Sequence, residues 1–157
     1  MSISNYGDVL NFHRKYGLPH PKVPQLLAED VRMFRFNFMQ EELEEFDKAC
    51  AENDLPKAAD ALIDLVYVVM GTGVMMGLPW QLLFDAVQYA NMRKVRASSA
   101  DDPNSTRKHQ LDVVKPPGWE APNIKGILDI YTDRILATKD RDEAEDETRV
   151  DIRDGNV

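Results

Sequence analysis

One cysteine in 157 residues, Cys50, rules out an intrachain disulfide, so packing alone must hold this fold. In its helix-like stretch the thiol reads as a small buried apolar side chain in a reducing cytoplasm. Positive charge is scarce too: 19 Lys and Arg face 27 Asp and Glu, a formal net charge of -8. Binding a phosphate backbone needs a basic stripe, which excludes long nucleic acid as a partner. A small anionic ligand is not excluded, because metal ions and a few local cations can neutralise it. Residues 1–7 lack a basic region followed by an apolar run. The longest apolar stretch, 65–76, is broken by glycine and too short to span a bilayer, so no membrane partner is expected. What is present, 43% hydrophobic residues, suffices for one core. We expect a single domain over 1–136 and a charged, flexible tail over 137–157.

Helical periodicity dominates. Val9, Phe12 and Tyr16 predict a short helix over 8–16 that stops at Gly17, before a loop stiffened by Pro19, Pro21 and Pro24. A long helix follows over 25–52, with Phe34, Phe38, Leu43 and Phe46 as apolar positions and Glu29, Gln40 and Asp47 facing water. Asn53 and Asp54 break it. Asp54 is placed to cap the next helix, whose first turn tolerates Pro56, and the result is an antiparallel hairpin. The helix over 56–77 is apolar nearly all round (Leu62, Ile63, Val66, Val69) and reads as central and buried, with Met70, Met75 and Met76 as core filler. A fourth helix is expected over 79–96, a loop over 97–108, an extended stretch over 113–122 and one more helix over 124–136. The fold class is all-α: a four-helix core completed by oligomerisation, as a dimer or tetramer.

Helical phase sorts the acids. Glu42 and Glu45 continue the stripe of Phe34, Phe38 and Ala49, whereas Glu41 and Glu44 share a face with Asn37 and Lys48. On the next helix Asp60, Asp64, Tyr67 and Gly71 form a polar line in an aliphatic element. The hairpin brings both carboxylate pairs to about the same height. Several such acids in low dielectric cannot all ionise unless cations sit among them. Oxygen donors without a His or Cys set favour Mg²⁺ or Mn²⁺. The alternative is a solvated acidic face with ordinary ion pairs, a reading that suits Glu41 and Glu44 better than the aspartates.

These segments resemble the all-alpha nucleoside triphosphate pyrophosphohydrolases, MazG-like and related to phosphoribosyl-ATP pyrophosphohydrolase, especially small phage forms. The family pattern is an ExxE pair on one helix and an ExxD pair on the next. EELEE supplies Glu42 and Glu45, and DALIDLVYVVMG supplies Asp64. Where the second glutamate belongs, this chain has Ala61, with Asp60 one residue earlier. DVLNFHRKYGLP, YANMRKV and DVVKPPGWEAPNI also look like the phage branch, which for such a protein makes the compartment the host cytoplasm.

The resemblance implies cleavage of a (d)NTP between the α and β phosphates, with a purine such as dGTP as the narrower expectation, by two or more metal ions. Glu42, Glu45 and Asp64 are the candidate ligands, with Asp60 as a substitute. The general base stays open among the glutamates, including Glu41. Asn91 and Lys94, one helical turn apart, are candidates for sugar and phosphate, or an ordinary surface pair. Lys115, before two prolines, is a second phosphate candidate or a surface lysine. Arg35 either binds substrate or salt-bridges a glutamate. Phe12, His13 and Trp119 are candidates to wall a base pocket, although Phe12 and Trp119 equally suit packing and His13 reads as a surface residue. The absent glutamate leaves a second reading: a non-catalytic nucleotide- or metal-binding regulator on the same fold. A purely structural bundle is the third.

Overall fold

The computed structural model describes residues 4–154, with side chains described to residue 141. The element order is α1 (Asn5–Lys15), α2 (Glu29–Ala51), α3 (Leu55–Met75), α4 (Trp80–Met92), β1 (Val95–Arg96), β2 (Val113–Val114) and α5 (Ile124–Asp154). Two compact units are present, one made of 1–78 and 132–157, the other of 79–131.

In the first unit α3 packs against both α2 and α1. All three helices end in the same way. After α1, α2 and α3 the chain turns through Gly17, Asn53 and Gly77 at φ +64°, +57° and +65°. The next residue bonds back across the last turn: Leu18 N–H to His13 O, Asp54 N–H to Ala49 O and Leu78 N–H to Gly73 O. This is the Schellman arrangement, which satisfies carbonyls that a helix end leaves without partners. Gly77 is the strictest of the three, since a Cβ there would lie 2.7 Å from Pro21 O and 2.8 Å from Val23 O. Starts are capped as the sequence indicates for α3, where Asp54 accepts from Lys57 N–H and Pro56 lies in the first turn. Ser4 does the same for α1 by accepting from Gly7 N–H.

Burial in α2 is confined to Arg35, Glu42 and Ala49, one residue every two turns. Phe34 and Leu43, read as core positions, are exposed, and so is Cys50, read as buried. The narrow stripe explains all three, because a helix that meets neighbours along one line buries only that line. α3 is likewise less enclosed than its composition suggests. Its buried positions are mostly small (Ala58, Ala61, Gly71, Gly73, with Val68 and Val74), while Leu62, Ile63 and Val66 are exposed. Taken whole, α3 has 21 residues and a mean hydropathy of 1.6 over its most apolar window, enough by length and composition to cross a membrane. The run over 65–76 is itself too short, but the helix that contains it is not, and what separates α3 from a lipid-facing helix is that it packs on α1 and α2 and carries Asp60 and Asp64.

The second unit starts with α4, which ends at Met92 instead of continuing to 96. Val95 and Arg96 instead pair antiparallel with Val114 and Val113. β-branched valines on both sides favour the extended pairing. The segment 116–119 is a turn: Trp119 N–H bonds Pro116 O at 3.0 Å, with Pro117 second and Gly118 third at φ +76°. That is the type II geometry that Pro followed by Gly encodes. α5 then runs through Asp154, past the point at 137 where composition predicts a flexible tail. An i,i+4 ion pair, Lys125 to Asp129 at 2.6 Å, supports its first turns.

Candidate active site

The packing of α1, α2 and α3 leaves a cavity of about 250 Å³. Its walls include Phe12 and His13 from α1, Arg35, Phe38 and Glu42 from α2, and Asp64, Tyr67 and Gly71 from α3. Glu42 is the buried member of its four-glutamate run, 8% exposed, while Glu41, Glu44 and Glu45 face solvent. Burial pushes its carboxyl above the usual carboxylate range, and the charges of Asp64, Glu45, Glu41 and Asp60 push it further. Among the described residues no cation pairs with any of these five acids.

Arg35 is buried in the same cavity and, among the described residues, pairs with no carboxylate either. Its Nη2 donates to Val68 O at 2.6 Å and its Nε to Thr72 Oγ1 at 3.0 Å, tying α2 to α3. Thr72 Oγ1 donates in turn to Val68 O at 2.9 Å. Its guanidinium lies 5.4 Å from the centre of the Phe38 ring, and burial lowers its pKa. The salt bridge to glutamate that the sequence left open is not made. With two donors committed to α3, the remaining guanidinium hydrogens are available to a ligand.

His13 is 3% exposed, which overturns its reading as a surface residue. The signal missed was its place one turn after Val9, the most deeply buried side chain of α1. Its Nδ1 lies 3.1 Å from Pro19 O. A carbonyl only accepts, so Nδ1 carries the hydrogen and Nε2 is left as an acceptor. Burial first, then the Arg35 and His20 charges, hold its pKa below the ordinary value, against the opposing pull of the Pro19 carbonyl. The neutral ring is the resident form. Gly71 makes this possible, since a Cβ there would lie 3.1 Å from both His13 Nε2 and Arg35 Nη2. Phe12 stands edge-on to Tyr67 with ring centres 5.6 Å apart. Gly71 and Tyr67 belong to the polar line drawn from the sequence, but neither was named there as a site residue.

Asp60 and Glu45 line a different recess, with Lys48, Ala49, Glu52 and Lys57. Ala61, where the family pattern has glutamate, is 3% exposed. Among the described residues no group of three or more His, Cys, Asp or Glu side chains is disposed to hold a metal. The cavity therefore offers two carboxylates, Glu42 and Asp64. That donor set fits Mg²⁺, which typically takes one or two carboxylates and fills its other positions with water and phosphate oxygens.

In the second unit, Trp119 Nε1 donates to Ala90 O at 2.7 Å, at the end of α4. Lys94 and Lys115 both lie over the Trp119 ring, their Nζ atoms 5.8 and 4.6 Å from its centre. Asn91 is exposed on α4, and its carbonyl accepts from Lys94 N–H.

A family model described as phosphoribosyl-ATP pyrophosphohydrolase matches residues 9–91, just over half of the chain. The chain belongs to this family. The match covers α1 from Val9 onward, all of α2 and α3 and nearly all of α4, and so contains every residue that lines the Glu42–Asp64 cavity. No curated protein matches the chain. Membership in this pyrophosphohydrolase family agrees with the resemblance carried by the ExxE and closing aspartate motifs, and with the all-α fold of the first unit.

Proposed function

We propose that the chain is a Mg²⁺-dependent nucleoside triphosphate pyrophosphohydrolase that converts a (d)NTP, such as the purine dGTP, to (d)NMP and pyrophosphate. The observation that carries this reading is one cavity holding two unpaired carboxylates, an arginine free of acids and an aromatic wall. Bound Mg²⁺ supplies charge neutralisation at the phosphates and a polarised water. Glu42 and Asp64 hold the cation, and Glu45 and Asp60 are the candidates for a second. A glutamate among Glu41, Glu42 and Glu45 takes the proton of the attacking water as the bond between the α phosphorus and the bridging oxygen breaks. Phe12 and Tyr67 wall the base, and His13 Nε2 and Arg35 offer it a neighbouring acceptor and donor. Asn91, Lys94, Lys115 and Trp119 are the candidates for sugar, phosphate and stacking contacts. The test is pyrophosphate release from a panel of dNTPs with Mg²⁺ or Mn²⁺; no release from any of them would sink the proposal.

A second reading, a nucleotide- or metal-binding regulator, draws on the buried Ala61 and on the two-carboxylate cavity. It predicts Mg²⁺-dependent nucleotide binding without turnover. In either case we infer a homodimer or homotetramer, because α2 and α3 leave Phe34, Phe36, Leu62 and Ile63 in solvent. Light scattering after size exclusion would return a monomer if that inference is wrong.

A further inference from the structure

The second unit gathers its two lysines by means that neither lysine supplies. Val95 pairs with Val114, and Ala97 N–H bonds Asp112 O at 2.9 Å, so the same register puts Lys94 opposite Lys115. Both ammonium groups share the Trp119 ring, and among the described residues neither has a carboxylate partner. Cation–π attraction offsets part of their mutual repulsion. An anion would satisfy both.

A ladder of two residue pairs is too short to fix its own register, and a slip of one residue would send the lysines to opposite faces. The loop that closes it is held from within. Asp112, 6% exposed, accepts from Ser105 Oγ at 2.8 Å, Arg107 Nη1 at 2.7 Å and Val113 N–H at 2.9 Å. Asp102 accepts from Ser98 N–H, Ser98 Oγ and Asn104 N–H, each at 2.9 Å, and its carbonyl takes Lys108 Nζ at 3.1 Å. Charge-assisted bonds to buried carboxylates are strong enough to order a short loop. The indole is fixed separately, through its bond to Ala90 O and the turn over 116–119.

We propose that Asp112 is a positioning residue: by fixing the loop that closes the two-stranded ladder, it holds Lys94 and Lys115 together on Trp119 as one dicationic site for the phosphates of a nucleotide ligand. The assignment of a nucleotide rests on the pyrophosphohydrolase reading, whereas the dicationic site does not. Neither lysine is a competent site alone, and loop order becomes affinity.

The test uses the full chain carrying Trp80→Phe, which leaves Trp119 as the reporter, since the sequence holds two tryptophans. Inorganic pyrophosphate is titrated while Trp119 emission is read, and KM and kcat are measured in parallel with the best dNTP. Lys94→Gln and Lys115→Gln should each weaken pyrophosphate binding about tenfold, the scale of one lost charge-assisted bond. Asp112→Asn should weaken it by a similar factor, raise KM about tenfold, leave kcat within about twofold and blunt the Trp119 response. Ser105→Ala should fall between parent and Asp112→Asn, and it carries the test if Asp112→Asn does not fold. The proposal is overturned if the loop variants bind pyrophosphate like the parent, or if the lysine variants do. Binding that depends on all three residues in a protein that releases no pyrophosphate would uphold the site and sink the pyrophosphohydrolase reading instead.

Discussion

The two units treat buried charge in opposite ways. In the first, Arg35 and Glu42 are both buried and among the described residues neither meets an opposite charge: the arginine is held by a hydroxyl and a carbonyl, the glutamate sits among acids. In the second, buried Asp102 and Asp112 each collect three donors. A protein can keep unpaired charge out of water only against a cost, and tends to do so where a ligand will complete the set. Satisfied charge serves order. The contrast separates a cavity whose buried charges wait for a ligand from a loop whose buried charges are already satisfied.

The sharpest way to break that contrast is to remove charge from the waiting region. Asp64→Asn and Glu42→Gln should each lower kcat/KM for pyrophosphate release by about 100- to 1,000-fold, the scale of losing one electrostatic element from such a site. The same variants should melt at a higher temperature than the parent without metal, because repulsion among the acids is relieved. A lower metal-free midpoint in both would show that these carboxylates are structural. Gly77→Ala comes next, with a stability loss of about 2 kcal/mol or more in denaturant titration, because it combines a left-handed backbone with a clash against two carbonyls. Retained stability would mean that the 19–24 loop is free to move away.

Acid should then affect the units in sequence. His13 has a folded-state pKa below its ordinary 6.5, so the stability it contributes is present above 6.5 and is lost as pH falls from there. The raised pKa of Glu42 acts with the opposite sign, gaining stability as pH falls, so the comparison belongs in Glu42→Gln. In that background, the protection of α1 amides relative to their intrinsic exchange rates should fall from pH 7 to pH 5, and His13→Asn should flatten the trend. The smallest effect is expected at Asp112, whose pKa is drawn from 3.8 down to about 2, first by the Ser105 hydroxyl and then by Arg107 and Val113 N–H, against an opposing desolvation. Its contribution is full above 3.8 and lost as pH falls through about 2. Loop protection at 97–112 that fades near pH 4 would contradict this pairing.

Much of the first unit was legible because its signals are local. Asp54 as a cap, Pro56 in a first turn, and Gly17 and Asn53 as stops each follow from one residue's backbone preferences. Phase also placed Glu42 inward among four glutamates. It failed for Glu45, Phe34 and Leu43, since periodicity gives the centre of a buried face but not its width, and the contacts of α2 turned out narrow. His13 was misjudged because its burial depends on the Pro19 carbonyl, brought back by the loop that follows α1, and on the missing Cβ of Gly71, which is remote in sequence. The network over 98–113 was invisible for a different reason. Ser, Asp and Asn mark a loop, but not which of them will bond to one another.

Ala61 has a consequence that reaches beyond this molecule's present chemistry. It is 3% exposed at the position where the family pattern carries an acid. The first unit is built around small residues, and a methyl group now occupies space that a longer charged chain would need. A glutamate at this position would be forced into a packed interior, oversized for the space and costly to bury as a charge. Ala61→Glu alone would therefore not complete the second acidic pair: neighbouring side chains would have to move aside first. Packing as well as chemistry thus limits which acids this site can hold.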